Sequence, residues 1–73
     1  MITFAEKIKA LRIERGLTQR EVARGADIAE RQYQSYEGGE RKPSIDSILY
    51  LACFFDVSID YLVGRTDKPE VNK

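Results

Sequence analysis

The sequence predicts a small all-α domain built from five short helices. Three observations carry that expectation. Two Thr-x-x-Glu pairs, Thr3 with Glu6 and Thr18 with Glu21, stand just ahead of apolar-periodic runs, the arrangement of a capping box that opens a helix. Apolar residues recur at spacings of three and four rather than alternating, so the period is helical and no run reads as a strand. Gly16, the Gly38-Gly39 pair and Gly64 each follow such a run, where a left-handed residue can end a helix.

Taken in order, the first helix starts after Thr3, presents Phe4, Ile8 and Leu11 as one stripe and ends near Gly16. The second opens at Thr18, is barely two turns long and offers Val22, Ala23 and Ala26 to the core. Asp27, Ile28 and Ala29 interrupt the pattern before a third helix, about Glu30 to Glu37, that the glycine pair stops. The loop from Glu40 to Pro43 is polar and basic. Ser44 is the expected N-cap of a fourth helix, Ile45 to about Phe55, with Ile45, Ile48, Leu49, Ala52 and Phe55 expected to face the core. Ser58 caps a fifth, Ile59 to Val63, closed by Gly64. The predicted division is one domain over residues 1–64 and a frayed tail over residues 65–73, which contain Pro69 and almost nothing to bury.

Composition bounds the function. A chain of 73 residues buries only about 60% of the surface its unfolded form exposes, so one compact core is expected. With 42% hydrophobic and 33% charged residues it belongs to the ordinary globular class. Twelve basic residues balance twelve acidic ones, which leaves no global field to attract a polyanion. The distribution is uneven: residues 1–42 hold nine basic and seven acidic side chains, residues 43–73 three and five. There is no histidine and one cysteine, Cys53, so neither an intrachain zinc site, a disulfide nor a nucleophile and base pair can be assembled. No enzyme, metal or cofactor is expected, and Cys53 reads as a small hydrophobe in a reducing compartment. The longest apolar run, Ile48 to Phe55, has eight residues against the roughly 20 that span a bilayer, and the N-terminus lacks a signal-peptide pattern. The expectation is a cytoplasmic protein.

A helix, a turn of three to four residues and a second short helix make a helix-turn-helix unit, whose second helix enters the DNA major groove. Tyr33 and Tyr36 lie three apart and read as core. The face opposite them carries Arg31 and Ser35, with Gln34 and Glu30 on its flanks. Arg31 suits guanine O6 and N7, Gln34 adenine N6 and N7, and Glu30 the N4 amine of cytosine. A charged helix face is more often merely solvated; the tight turn before this one is what favours base reading. Arg41 and Lys42, past the glycine pair, are placed to meet flanking phosphates or a narrow minor groove, and Arg20 adds a charge beside the second helix's start.

The segments LTQREVA, SYEGGERKPS and DVSIDYLVG resemble the Cro and phage-repressor type of helix-turn-helix protein, and the resemblance covers about Phe4 to Gly64. It implies a sequence-specific DNA-binding regulator, a repressor in the first instance, that occupies a pseudo-palindromic operator as a dimer. It further implies that Gln19 contacts a backbone phosphate and braces the recognition helix, and that Arg12 and Glu37 form a buried bridge between the first and third helices. Loss of Arg12 is therefore expected to destabilise the fold far more than loss of Arg15. The chain departs from the family pattern at three positions. Asp27 and Ala29 stand where a turn glycine and a capping Ser or Thr are usual, and Gly38 replaces a common phosphate-contacting side chain.

The fourth helix carries more apolar surface than one core face needs. Tyr50, Cys53 and Phe54 at i, i+3 and i+4, joined by Tyr61, are the expected homodimer surface. A competing reading from another class gives that patch to a different protein, as in an antitoxin or anti-repressor module with secondary DNA binding. Neutral net charge leans toward it; the basic residues Arg20, Arg31, Arg41 and Lys42 lean toward DNA.

Overall fold

The computed structural model describes residues 3–64; the expected tail at residues 65–73 lies outside them. The described chain forms α1 (Phe4–Glu14), α2 (Gln19–Gly25), α3 (Glu30–Glu37), α4 (Ile45–Phe55) and α5 (Ile59–Leu62). Both Thr-x-x-Glu pairs are reciprocal capping boxes. The Thr3 hydroxyl accepts from the Glu6 N–H at 3.2 Å while the Glu6 carboxylate accepts from the Thr3 N–H, and Thr18 and Glu21 repeat this at 3.0 and 2.9 Å. Ser44 and Ser58 cap α4 and α5 by accepting from the N–H groups of Ser47 and Tyr61. Ala29 at the start of α3 supplies no side-chain cap.

Four helices end in the same way. The N–H that follows a left-handed residue reaches back to a carbonyl in the last turn, from Leu17 to Arg12, Ile28 to Ala23, Glu40 to Ser35 and Val57 to Ala52, at 2.8 to 3.1 Å. Each closure needs a left-handed residue, and these are Gly16, Asp27, Gly39 and Asp56. Asp27 and Asp56, at φ 57° and 56°, take a conformation that Asp tolerates better than most side chains. Asp27 thereby keeps the α2–α3 turn tight in place of a glycine.

The core draws on all five helices: Ile8, Leu11, Val22, Ala23, Ala26, Tyr33, Tyr36, Leu51, Ala52, Phe55, Val57 and Leu62. Helix α1 packs on α3 and α5, α2 on α3, and α4 on α5, which leaves one long side of α3 uncovered.

The expected inward face of α4 needs correction. Ala52 and Phe55 are buried and Ile48 half-buried, but Ile45 is 77% exposed and Leu49 43%. The helix is rotated so that Ser47, Leu51 and Phe55, at i, i+4 and i+8, point inward beside Ala52. A serine can occupy that inner stripe because its hydroxyl meets the Tyr36 hydroxyl at 2.9 Å, which satisfies two buried polar groups at once.

Candidate nucleic-acid interface

Helix α3 is eight residues long and lacks a side-chain cap, so tertiary contacts must fix it. Two buried tyrosines anchor it, Tyr33 at 0% and Tyr36 at 2% exposure. The Tyr36 hydroxyl sits among Ser47, Ser44 and Gln32: Gln32 Nε2 donates to it, and Ser44 Oγ donates to Ser47 Oγ at 3.0 Å. Burial pushes the Tyr36 phenol up, and the hydrogen bonds from Ser47 and Gln32 outweigh it, so the phenol lies below its ordinary value. Sequence reasoning missed Gln32 and Ser47. Their only signal was polarity on helix positions whose spacing matches the inward residues.

The other end of α3 is held by charge. Arg12 Nε donates to Glu37 Oε2 at 2.7 Å and Nη2 to Oε1 at 3.1 Å, while Nη1 reaches the Leu17 carbonyl at 3.0 Å. The Glu37 side chain is only 4% exposed, and Gln19 Nε2 adds a third donor at 3.2 Å. Burial pushes the Glu37 carboxyl up, but the Arg12 fork, with Gln19, outweighs that and holds it below the usual carboxylate range. Burial also drives the Tyr33 phenol far above its ordinary value, with the nearby Glu37 charge adding to the rise. Among the described residues the Tyr33 hydroxyl meets no partner at hydrogen-bonding geometry, so its influence on Glu37 is electrostatic.

With its inner side so held, α3 turns Arg31 and Gln34 to solvent, and Glu30 and Ser35 are partly exposed. These polar groups are not independent. Glu30 Oε1 accepts from Arg20 Nε of α2 at 3.1 Å and its Oε2 accepts from Gln34 Nε2 at 3.2 Å. The Ser35 hydroxyl is turned onto the Arg31 carbonyl at 3.1 Å. Arg41 and Lys42 are exposed on the segment between α3 and α4, just past the left-handed Gly39. Gln19 is half-buried at the start of α2, with its amide committed to Glu37. The structure therefore brings Arg20, Glu30 and Gln34 into one cluster and leaves the Arg31 side chain without a hydrogen-bond partner among the described residues.

Arg15 is more occupied than its sequence position suggests. Its guanidinium donates to the Phe55 carbonyl at 2.6 Å, closing the C-terminal end of α4, and lies over the Phe55 ring.

The expected apolar patch is divided. Tyr50 and Cys53 are exposed. Phe54 instead packs over Gly25, where an added Cβ would come within 2.1 Å of the ring, and meets Phe55 edge to face at 5.2 Å. Tyr61 is half-buried against the core with the Lys7 ammonium 4.1 Å from its ring centre. The apolar residues that do face solvent beside Tyr50 are Ile45 and Leu49 on α4 with Ile59 and Val63 at α5. An open groove of about 540 Å³ between the two helices is lined by Leu49, Ala52, Cys53, Val57 and Ile59.

Residues 8–62 match the helix-turn-helix family model. The chain is similar to an HTH-type transcriptional regulator, YobD, of Bacillus subtilis, with 36% identity over 92% of this chain and 60% of that protein. It is also similar to the cryptic phage CTXphi transcriptional repressor RstR of Vibrio cholerae, with 39% identity over 88% of this chain and 58% of the relative. The chain thus spans about three fifths of the length of these relatives. The crystal structure of a transcriptional regulator from Listeria innocua superposes with a TM-score of 0.78 at 38% identity, covering 88% of this chain and 60% of that one. With the capped α2 and the uncapped α3 joined through a left-handed Asp27, and α3 anchored from within, the chain belongs to the helix-turn-helix family of the Cro and phage-repressor type.

Proposed function

We propose that this chain is a sequence-specific DNA-binding transcriptional regulator, a repressor that inserts α3 into the major groove of a pseudo-palindromic operator as a dimer. One observation carries the reading: a short helix with no cap of its own is held by two buried tyrosines and a buried ion pair, and its outward side is polar. That much internal fixing has little purpose on a face that only meets water. It pre-sets the geometry that base reading demands.

Arg31 is the principal base reader, since its guanidinium fork suits guanine O6 and N7 and has no competing partner among the described side chains. Gln34 reads a neighbouring pair. Arg20, Arg41 and Lys42 neutralise phosphates that set register, and Gln19 contacts the backbone where α2 begins. Repression follows by occlusion, the dimer lying across a promoter. The support for repression is a relative that is named as a phage repressor.

The test is selection from a random duplex pool by the purified protein at fixed salt, beside Arg31→Ala/Gln34→Ala. The expected outcome is an enriched palindrome that the double variant no longer selects. Salt-sensitive binding with no enriched sequence, unchanged in the variant, would overturn the reading. It would favour instead a protein-binding module working through the open groove between α4 and α5, the feature that supports this second reading.

A further inference from the structure

We propose that Glu30 is a positioning residue that ties the phosphate contact of Arg20 to the base contact of Gln34, and so sets base preference without itself touching a base. The inference rests on the reading that α3 enters the major groove. It moves Glu30 away from the direct role that its side-chain chemistry first suggests, acceptance from cytosine N4.

The geometry of the cluster carries it. The two carboxylate oxygens of Glu30 are divided between two partners on two helices, Oε1 to Arg20 at 3.1 Å and Oε2 to Gln34 at 3.2 Å. Arg20 is held through Nε alone, so both terminal nitrogens of its fork stay available for a phosphate. Gln34 is held through one hydrogen of its amide nitrogen. Its second N–H and its carbonyl remain, which is the donor and acceptor pair that adenine N7 and N6 require. The bond to Glu30 also decides which end of the amide is the nitrogen. A free glutamine flips between two orientations, and only one of them matches a given base edge.

Charge explains why the cluster must act as a unit. A carboxylate in a groove walled by phosphates is repelled unless a cation accompanies it. Arg20 is that cation, and it lies on the helix that crosses the backbone. In water the exposed pair, at 67% and 40% side-chain exposure, is weak. Against DNA, water leaves and the same contacts strengthen.

The experiment compares the wild type with Glu30→Ala, Glu30→Gln and Arg20→Ala in the same pool selection, with circular dichroism and salt titrations on one selected duplex. Glu30→Ala is expected to keep its helical content and lose roughly fivefold or more discrimination at one base pair per half-site, the pair that Gln34→Ala also relaxes. Its affinity for random duplex should rise, because a negative charge has gone. Glu30→Gln should raise random-duplex affinity equally yet keep part of the discrimination, since a neutral amide oxygen still accepts from Gln34. Arg20→Ala should bind more weakly than loss of one phosphate contact predicts, and Arg20→Ala/Glu30→Ala should recover the excess. An unchanged motif in Glu30→Ala, with affinity raised evenly for all sequences, would overturn the proposal while leaving the groove reading intact. Loss of preference at a base pair that Gln34→Ala does not affect would mean direct reading by Glu30 and would also overturn it. A wild type that enriches no sequence would overturn both.

Discussion

Arg12 and Glu37 illustrate how one pair can decide a domain of this size. The carboxylate is almost fully buried and receives two Arg12 nitrogens and the Gln19 amide. Arg12→Met leaves that charge without its main donor, and breaking such a pair costs about 3–5 kcal/mol, a large share of a small domain's stability. Arg15→Met removes a bond to the Phe55 carbonyl and a contact with its ring, worth about 1–2 kcal/mol. The expected order of melting temperatures is thus wild type, Arg15→Met, then Arg12→Met, with Arg24→Met, an exposed control, near wild type. Equal melting of the Arg12 and Arg15 variants would remove the special role of the buried pair. The same site sets an acid limit. Because the folded Glu37 carboxyl lies below its ordinary value of 4.5, its contribution is fully present above that pH and is lost as pH falls through the depressed folded value. Glu37→Gln should be less stable than wild type at pH 7, and the gap should narrow below about pH 4 in urea titrations. A gap that stays constant with pH would mean that Glu37 contributes through shape alone.

At the scale of elements, local chemistry wrote most of the boundaries. Capping boxes and the serines at positions 44 and 58 fix where four helices start, and left-handed residues fix where four of them stop. Helix α3 alone lacks a side-chain cap, so Ala29→Ser should raise stability by about 1 kcal/mol, because Ala29 already has the extended backbone that a cap requires. A neutral result in thermal melts would show that the tertiary anchors already saturate the helix start. Gly25 tests the opposite case. Alanine is worth up to about 1 kcal/mol more than glycine inside a helix, yet the new Cβ falls on the Phe54 ring. Overpacking of this kind costs about 1–3 kcal/mol, so Gly25→Ala should be destabilising on balance, and Phe54→Leu should suppress the effect in a double-mutant cycle. Additive effects would mean that the ring moves aside freely. What the sequence left illegible was the rotation of α4. Its apolar residues cover more than half of the helix surface, so periodicity names two stripes without saying which is inside. The choice fell to Ser47, whose meeting with Tyr36 is a contact between residues eleven apart. No helical wheel contains that contact. The solvent-facing side of α3 was legible because the two tyrosines marked its inner side. The Arg20 to Glu30 pairing across two helices was not, for the same long-range reason.

The whole molecule has the polar outward side of α3 and, elsewhere, an apolar stripe that must be accounted for. Ile45 at 77% and Leu49 at 43% exposure stand one helical turn apart on α4, with Cys53 a turn further on, and Ile59 and Val63 extend the apolar surface onto α5. Tyr50 adds a flank, whereas Phe54 and Tyr61 are spent largely on packing within the chain. A monomer gains nothing from leaving such residues in water, and a second copy related by a two-fold axis would cover them on both chains at once. A stable interface needs about 800 Å² per partner, so contributions from α4 and α5 together are required rather than from one helix. The geometry then has to set two α3 helices about 34 Å apart, one turn of DNA. Leu49→Glu places a charge in this surface, at a residue that is not among those assigned to DNA. It should sediment as a monomer at tens of micromolar where the wild type is a dimer, fold with unchanged helical content, and lose affinity for a palindromic site while keeping that for random duplex. Tyr61→Ala should instead lower the melting temperature, since Tyr61 packs against the core and carries Lys7 on its ring. A Leu49→Glu protein that still sediments as a dimer would move the interface off this stripe. A wild type that stays monomeric both free and on DNA would remove the two-fold reading altogether, leaving the α4 and α5 groove as a surface for some other chain.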